Sequence, residues 1–115
     1  MPRKYVPKRG DIVFTNFDSA AGHEQSMRRP ALVLSPEPFN RKIKLALVAP
    51  IISRIRGHGF EVKLEGSETY RAVLCHQIKT IDYDARGIHC VESAPEAIVQ
   101  SAVAIVRVDP VSNSV

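Results

Sequence analysis

The chain has 115 residues, 44% of them hydrophobic, enough for a single domain spanning 1–115 with its own core and too few for two. No apolar run approaches the roughly 18 residues that span a bilayer, and "MPRKYVPKRG" at the N-terminus has no apolar stretch behind its basic residues, so a cytoplasmic protein without membrane contact is expected. Sixteen Lys plus Arg against twelve Asp plus Glu leave a net charge of +4, which favours polyanions or an acidic protein as partners, and two cysteines, Cys75 and Cys90, give neither a disulfide framework nor a metal spacing.

After Gly10, "DIVFTNF" is rich in β-branched and aromatic residues and predicts a strand, whereas "DSAAGHEQSMRR" loses all apolar periodicity and predicts a long loop. "PALVLS" has the short continuous apolar run of a buried strand, and "PEPFNRK" then interrupts with two prolines as a short helical turn or loop. "IKLALVAPII" is a further strand whose Pro50 suggests an edge position or a bulge, followed by the basic, glycine-punctuated loop "SRIRGHG". In "GFEVKLE" Phe60, Val62 and Leu64 alternate with Glu61, Lys63 and Glu65, the pattern of a strand with one wet face. "GSETYR" reads as a turn, and "AVLCHQIKTID" as a long strand bent where His76 and Gln77 break the apolar pattern. "SAPE" predicts a capping box, Ser93 with Glu96, with Pro95 in the first turn. Ile98, Val99, Ala102, Val103, Ile105 and Val106 then share one broad face of a C-terminal helix, and the last residues, "SNSV", are expected to fray. About five short strands and a terminal helix make a mainly β protein with short helices, a small curved antiparallel barrel or sandwich.

Three places carry chemistry: His23, Glu24, Gln25, Arg28 and Arg29 in the first loop, Ser53, Arg54 and Arg56 in the third, and His76 with Gln77 in the late strand. No glycine loop for phosphate, no pair of His at metal spacing and no nucleophile elbow is present, which disfavours a metal- or nucleotide-dependent enzyme. Arg, His, Glu and Ser suit cleavage of RNA without metal. There the substrate's own 2′-hydroxyl attacks phosphorus, and the protein need only move protons and neutralise the charge on the phosphoryl oxygens, which an arginine fork does well. Each residue alone also has an ordinary reading. Arg29 can pair with Glu24 or be solvated, His23 can be a solvated loop histidine, and His76 and Gln77 can be hydrogen-bonded strand residues. Arg54 and Arg56 can belong to a solvated loop, and the two cysteines can be small buried hydrophobes.

The order of these motifs is more specific than any one of them. "RGDIVFTNFDSAAGHEQSMRRPALVLSPEPFNR" resembles the opening of the MazF/PemK toxins of bacterial toxin–antitoxin pairs, and the likeness continues through "LALVAPI", "GFEV", "QIKTID" and "ARG" to the helix after "APE". The resemblance implies an SH3-like β-barrel with a C-terminal helix and a homodimer. It also implies a metal-independent endoribonuclease without cofactor, which cuts single-stranded RNA, mRNA in the cell, at short motifs and leaves 2′,3′-cyclic phosphate and 5′-hydroxyl ends. The inhibitor it implies is a cognate MazE-like antitoxin with an acidic tail. Arg29 falls on the family's catalytic arginine, with His23, Glu24, Ser53 and His76 as further catalytic candidates. Phe17, Gln25, Arg28, Arg54, Arg56, Gln77 and Arg86 are the candidates for holding substrate.

Two positions depart from the family pattern. Many members carry Thr where this chain has Ile52, so Ser53 becomes the candidate hydroxyl, one residue displaced. The late strand commonly offers an acid before the Gln, or an Arg-x-Asp pair, whereas here the corresponding residues are Leu74, Cys75 and His76, which makes His76 a candidate proton carrier. Two rival readings follow. One is a gyrase-binding toxin of the same fold, acting through its C-terminal helix, which the ending "VSNSV" and the retained Arg-Pro loop disfavour. The other is a non-cleaving RNA-binding paralogue, kept in view by Ile52.

Overall fold

The computed structural model describes residues 5–16, 28–52, 61–64, 72–86 and 88–106. Among these, seven strands form one antiparallel sheet. The strand β1 (Asp11–Asn16) pairs with β2 (Arg28–Val33), which places Ile12 opposite Leu32, Val13 opposite Ala31 and Thr15 opposite Arg29. Strand β3 (Ala46–Ile52) lies on the far side of β2, with Leu32 opposite Ala49 and Ala31 opposite Pro50. The short strands β4 (Glu61–Lys63) and β5 (Ala72–Leu74) continue the sheet beyond β3, and β6 (Lys79–Ile81) also pairs with β3. At the other edge β7 (His89–Ser93) pairs with β1, with a register shift between Ile12 and Val13.

Side chains alternate along β1, β2 and β3, so these three strands feed two cores. On one face Ile12, Leu32, Ala49, Ile51 and Val73 pack beneath the helix α3 (Glu96–Val106), whose Ala102 is fully buried among them. On the other face Val13, Ala31, Val33, Val48 and Ile81 are closed over by Tyr5, Val6, Tyr83 and Ile88. Burying each of these larger side chains is worth about 1.5–3 kcal/mol, so both faces are strongly specified and the register cannot slip by one residue. The result is a curled, mainly β half-barrel sheet with a C-terminal helix, in line with the curved antiparallel barrel or sandwich that the sequence pattern predicts. Among the described residues no helix is long and apolar enough to cross a membrane.

Gly10 and Asp11 fix the start of β1. Gly10 has φ +97°, donates its N–H to the Val33 carbonyl at 2.8 Å and accepts from Ala94 N–H at 2.7 Å. A Cβ there would approach Val99 of α3 to 3.2 Å, so both backbone sign and helix packing favour glycine. Asp11, almost wholly buried, accepts the Tyr5 hydroxyl at 2.5 Å and the Lys8 N–H at 3.0 Å. That carboxylate ties the N-terminal segment onto the second core.

Three local readings need correction. "PEPFNRK" forms a true helix, α1 (Glu37–Ile43), entered after Pro36 and ended by Lys44 in the left-handed conformation, with an exposed Arg41–Glu37 ion pair one turn apart. The late strand is two strands, β5 and β6, separated by a turn over Cys75–Ile78. The capping box is not formed: Ser93 is the last residue of β7, opposite Asp11, so its backbone is committed to the ladder. The helix begins instead at Glu96, after Pro95, whose carbonyl accepts from Ile98 and Val99. A short helix α2 (Tyr83–Arg86) and the strand β7 were not anticipated from the pattern.

Candidate active site

Arg29 is the second residue of β2 and its side chain is exposed. The residue opposite it, Thr15, is fully buried, and its Oγ1 has no hydrogen-bond partner among the described residues. Continuing the β2–β3 register by two residues sets Arg29 level with half-buried Ile52, the last residue of β3. Directly opposed residues in antiparallel strands point to the same face. Thr15, Arg29 and Ile52 therefore form a row across three neighbouring strands at one end of the sheet. The described parts of β1, β2 and β3 end there at Asn16, Arg28 and Ile52, so the chain leaves and re-enters the sheet around Arg29 at that end.

Pro50 explains the break that produces the late turn. The Leu47 carbonyl accepts from Leu34 N–H on the β2 side, and residue 50, of opposite parity, turns its backbone to the other edge. Proline has no N–H to give there. The neighbouring chain pairs with Ile51 and Ile52 through β5 and with residues 46–48 through β6, and it loops out between them at Cys75–Ile78. Pro50 thus lies in a central strand rather than at an edge, and the irregularity it brings is the loop-out of the neighbouring chain. His76 and Gln77 ride on this loop-out and are exposed, with Gln77 Nε2 3.4 Å from His76 Nε2. His76 is therefore no packed strand residue. It flanks β3 from the side opposite to Arg29.

Of the remaining candidates, Arg28 is the first residue of β2, opposite Asn16, and Arg86 is the last residue of α2. Phe17, His23, Glu24, Gln25, Ser53, Arg54 and Arg56 lie outside the described residues.

Neither thiol is poised as a nucleophile. Cys75 is buried in the first core, and burial pushes its thiol up to about 11. Cys90, expected as a buried hydrophobe, is exposed on β7, and desolvation followed by the Asp11 carboxylate raises its thiol. On the opposite face of the sheet an apolar groove of about 390 Å³ runs between α1 and α3 past Phe39, Leu47, Ile78 and Val106. Arg9 at this groove is already engaged, its Nε donating to the Leu34 carbonyl at 2.6 Å. None of the candidate residues lines it.

The row at Arg29 offers a fixed positive charge at an open sheet end, backed by apolar packing and by one buried hydroxyl. Such an arrangement suits binding a phosphodiester and stabilising extra charge on it. Thr15 went unremarked in the sequence; the signal was a polar β-branched residue inside the apolar run "DIVFTNF".

Residues 8–108 match the family described as PemK-like, MazF-like toxins of type II toxin–antitoxin systems. The chain is 41% identical over 87 residues to the endoribonuclease toxin MazF of Escherichia coli K12, covering 76% of this chain and 78% of that one. It is 41% identical over 102 residues to the Escherichia coli endoribonuclease PemK, covering 84% and 77% of the two chains. Among solved structures, MazF from Deinococcus radiodurans superposes with a TM-score of 0.78 at 36% identity, over 90% of this chain and 94% of that one. A MazE–MazF complex from the same organism gives 0.76 at 31% identity, over 90% and 93%. By both the extent of the family match and these identities, the chain belongs to the PemK-like, MazF-like toxins of type II toxin–antitoxin systems.

Proposed function

We propose that this chain is an endoribonuclease toxin that cuts single-stranded RNA, mRNA included, without a metal. The relatives named above as endoribonucleases support the reading, and exposed Arg29 at the open end of the sheet carries it. The substrate's 2′-hydroxyl attacks the adjacent phosphorus as its proton passes to a base. The 5′-oxygen leaves with a proton from an acid, giving 2′,3′-cyclic phosphate and 5′-hydroxyl ends. Arg29 holds the phosphoryl oxygens and opposes the charge that grows on them. His23, Glu24, His76 and Ser53 are the candidates for proton transfer and hydroxyl contact, while Phe17, Gln25, Arg28, Arg54, Arg56, Gln77 and Arg86 are the candidates for holding the strand.

The MazE–MazF complex among the similar structures supports an acidic MazE-like antitoxin as the partner, consistent with the net charge of +4. The protein acts as a homodimer, because one barrel of this size offers little surface for several nucleotides. The test is incubation of the purified protein with a long RNA in EDTA and mapping of the cut ends. Cyclic phosphate termini are expected, and Arg29→Ala, at an exposed position, should stay folded while cutting slower by about two orders of magnitude or more. A requirement for Mg²⁺, or full activity in the folded Arg29→Ala protein, overturns the mechanism. Ile52, apolar beside Arg29, favours one second reading, an RNA-binding protein that does not cleave; in the same assay it retains RNA and yields no new ends.

A further inference from the structure

We infer that Thr15 is a positioning residue for Arg29: its buried hydroxyl accepts the Arg29 Nε–H when the guanidinium engages a phosphate, leaving both Nη groups as a fork on the phosphoryl oxygens. The inference rests on the proposed role of Arg29. Three observations carry it. Thr15 and Arg29 are directly opposed in the β1–β2 ladder, so their side chains share a face with Cβ atoms about 4.5–5.5 Å apart, within reach of an arginine Nε. Thr15 is fully buried and its Oγ1 has no partner among the described residues, whereas buried hydroxyls as a rule find one. The Arg29 side chain is exposed and so is placed to meet a phosphate.

An unpaired buried hydroxyl opposes folding, and valine has nearly the same shape, a better fit to a strand and no polar atom. Val13 and Val33 fill equivalent places on the same face. The hydroxyl therefore does nothing for the folded protein alone, and the cation beside it is the group it can serve. Because Thr15 is inaccessible, substrate does not touch it, and it acts by orienting Arg29. Guanidinium is a planar donor set without acceptors, so fixing Nε fixes the plane of the fork.

Three variants and one spectroscopic readout test this. Thr15→Val should fold with unchanged or higher Tm yet lose about tenfold in kcat with little change in KM, as expected for a hydrogen bond to a charged group realised in the transition state. Thr15→Ser should keep the rate within about threefold, since the hydroxyl remains. In an Arg29→Lys background, which lacks Nε–H and the fork, Thr15→Val should cost nothing further. Independently of cleavage, inorganic phosphate should slow exchange of the Arg29 Nε–H, seen by ¹⁵N NMR, in the wild type and in Thr15→Ser but not in Thr15→Val. Unchanged kcat in Thr15→Val, an equal loss in both backgrounds, or phosphate-induced protection that survives in Thr15→Val overturns the inference. A wild-type protein that cuts no RNA sinks the enzymatic reading instead, and the phosphate experiment still decides whether Thr15 holds Arg29.

Discussion

The Ser35 hydroxyl donates to Asn40 Oδ1 at 2.5 Å while the Asn40 amide nitrogen donates to the carbonyls of Ser35 at 3.0 Å and Pro7 at 2.9 Å. Asn40 is fully buried, and its own carbonyl takes the Tyr83 hydroxyl at 2.8 Å and the Lys44 N–H at 2.8 Å. Ser35 Oγ in turn accepts Leu47 N–H at 2.9 Å. One side chain thus joins the N-terminal segment to the β2–α1 corner, and its helix is pinned to α2. Asn40→Ala strips partners from two buried carbonyls and a hydroxyl, each costing about 1–3 kcal/mol, so a loss of about 3 kcal/mol or more is expected in urea unfolding. Asn40→Asp should be at least as damaging, because a carboxylate cannot donate and is costly to bury. A change below about 1 kcal/mol for both would show that the network adds little.

Stability should fall on the alkaline side. Burial raises the Tyr5 phenol, with the Asp11 hydrogen bond adding to it; burial also raises Tyr83 and pushes Cys75 from 9.0 up to about 11. In the unfolded chain these groups release their protons at lower pH than in the native protein. Above about pH 9 the native state therefore binds more protons, and stability declines with pH. The Cys75 contribution is fully present below about pH 9 and is lost as the pH climbs towards 11. Thermal unfolding from pH 7 to 11 should show Tm dropping across that window, with a shallower early fall in Cys75→Ala. An identical slope in that variant would remove Cys75 from the account.

The strands that bury both faces were legible in the sequence, because "DIVF", "PALVLS" and "LALVAPII" need no partner to declare themselves apolar. β7 was not. It is an edge strand paired to β1, and Val91 is 46% exposed, so burial imposes no pattern on "HCVES". The split of the late strand follows from β3: Pro50 cannot donate across, and only the pairing of β5 and β6 with that strand reveals how the chain compensates. Ser93 and Glu96 have capping-box spacing, yet the ladder with Asp11 claims Ser93 first, a tertiary contact that local spacing cannot register. The Asn of "PEPFNRK" reads as part of a short helical turn or loop and is in fact the fully buried Asn40 of this network. Arg29 was found from its motif. Thr15 was not, since a threonine in a strand is unremarkable until its hydroxyl is seen to be buried and unpaired.

His76 can be tested apart from the phosphate-binding role proposed for Arg29. It stands exposed on the loop-out opposite Pro50, beside Gln77. If it carries a proton in the reaction, His76→Gln should lower kcat and flatten the pH dependence of the rate, leaving RNA affinity nearly unchanged. An unchanged rate and profile would assign proton transfer elsewhere, with His23 and Glu24 the next residues to test.

The hydroxyl question can be settled by moving the hydroxyl. Ile52 ends β3 level with Arg29 in the continued β2–β3 register, and Ser53 follows it outside the described residues. If Ser53 supplies the contact, Ser53→Ala should reduce kcat by about tenfold while KM changes little, as for an interaction made mainly in the transition state. Ile52→Thr in the Ser53→Ala background should then recover most of that loss, because it returns a hydroxyl beside Arg29. Ile52 is half-buried, so this exchange should cost only about 1 kcal/mol of stability and leave the protein folded for assay. Recovery would show that the site needs a hydroxyl near Arg29 and accepts it from either residue. If Ser53→Ala keeps full activity, Ser53 has no part in turnover; if it loses activity and Ile52→Thr restores none, the hydroxyl must come from position 53 itself.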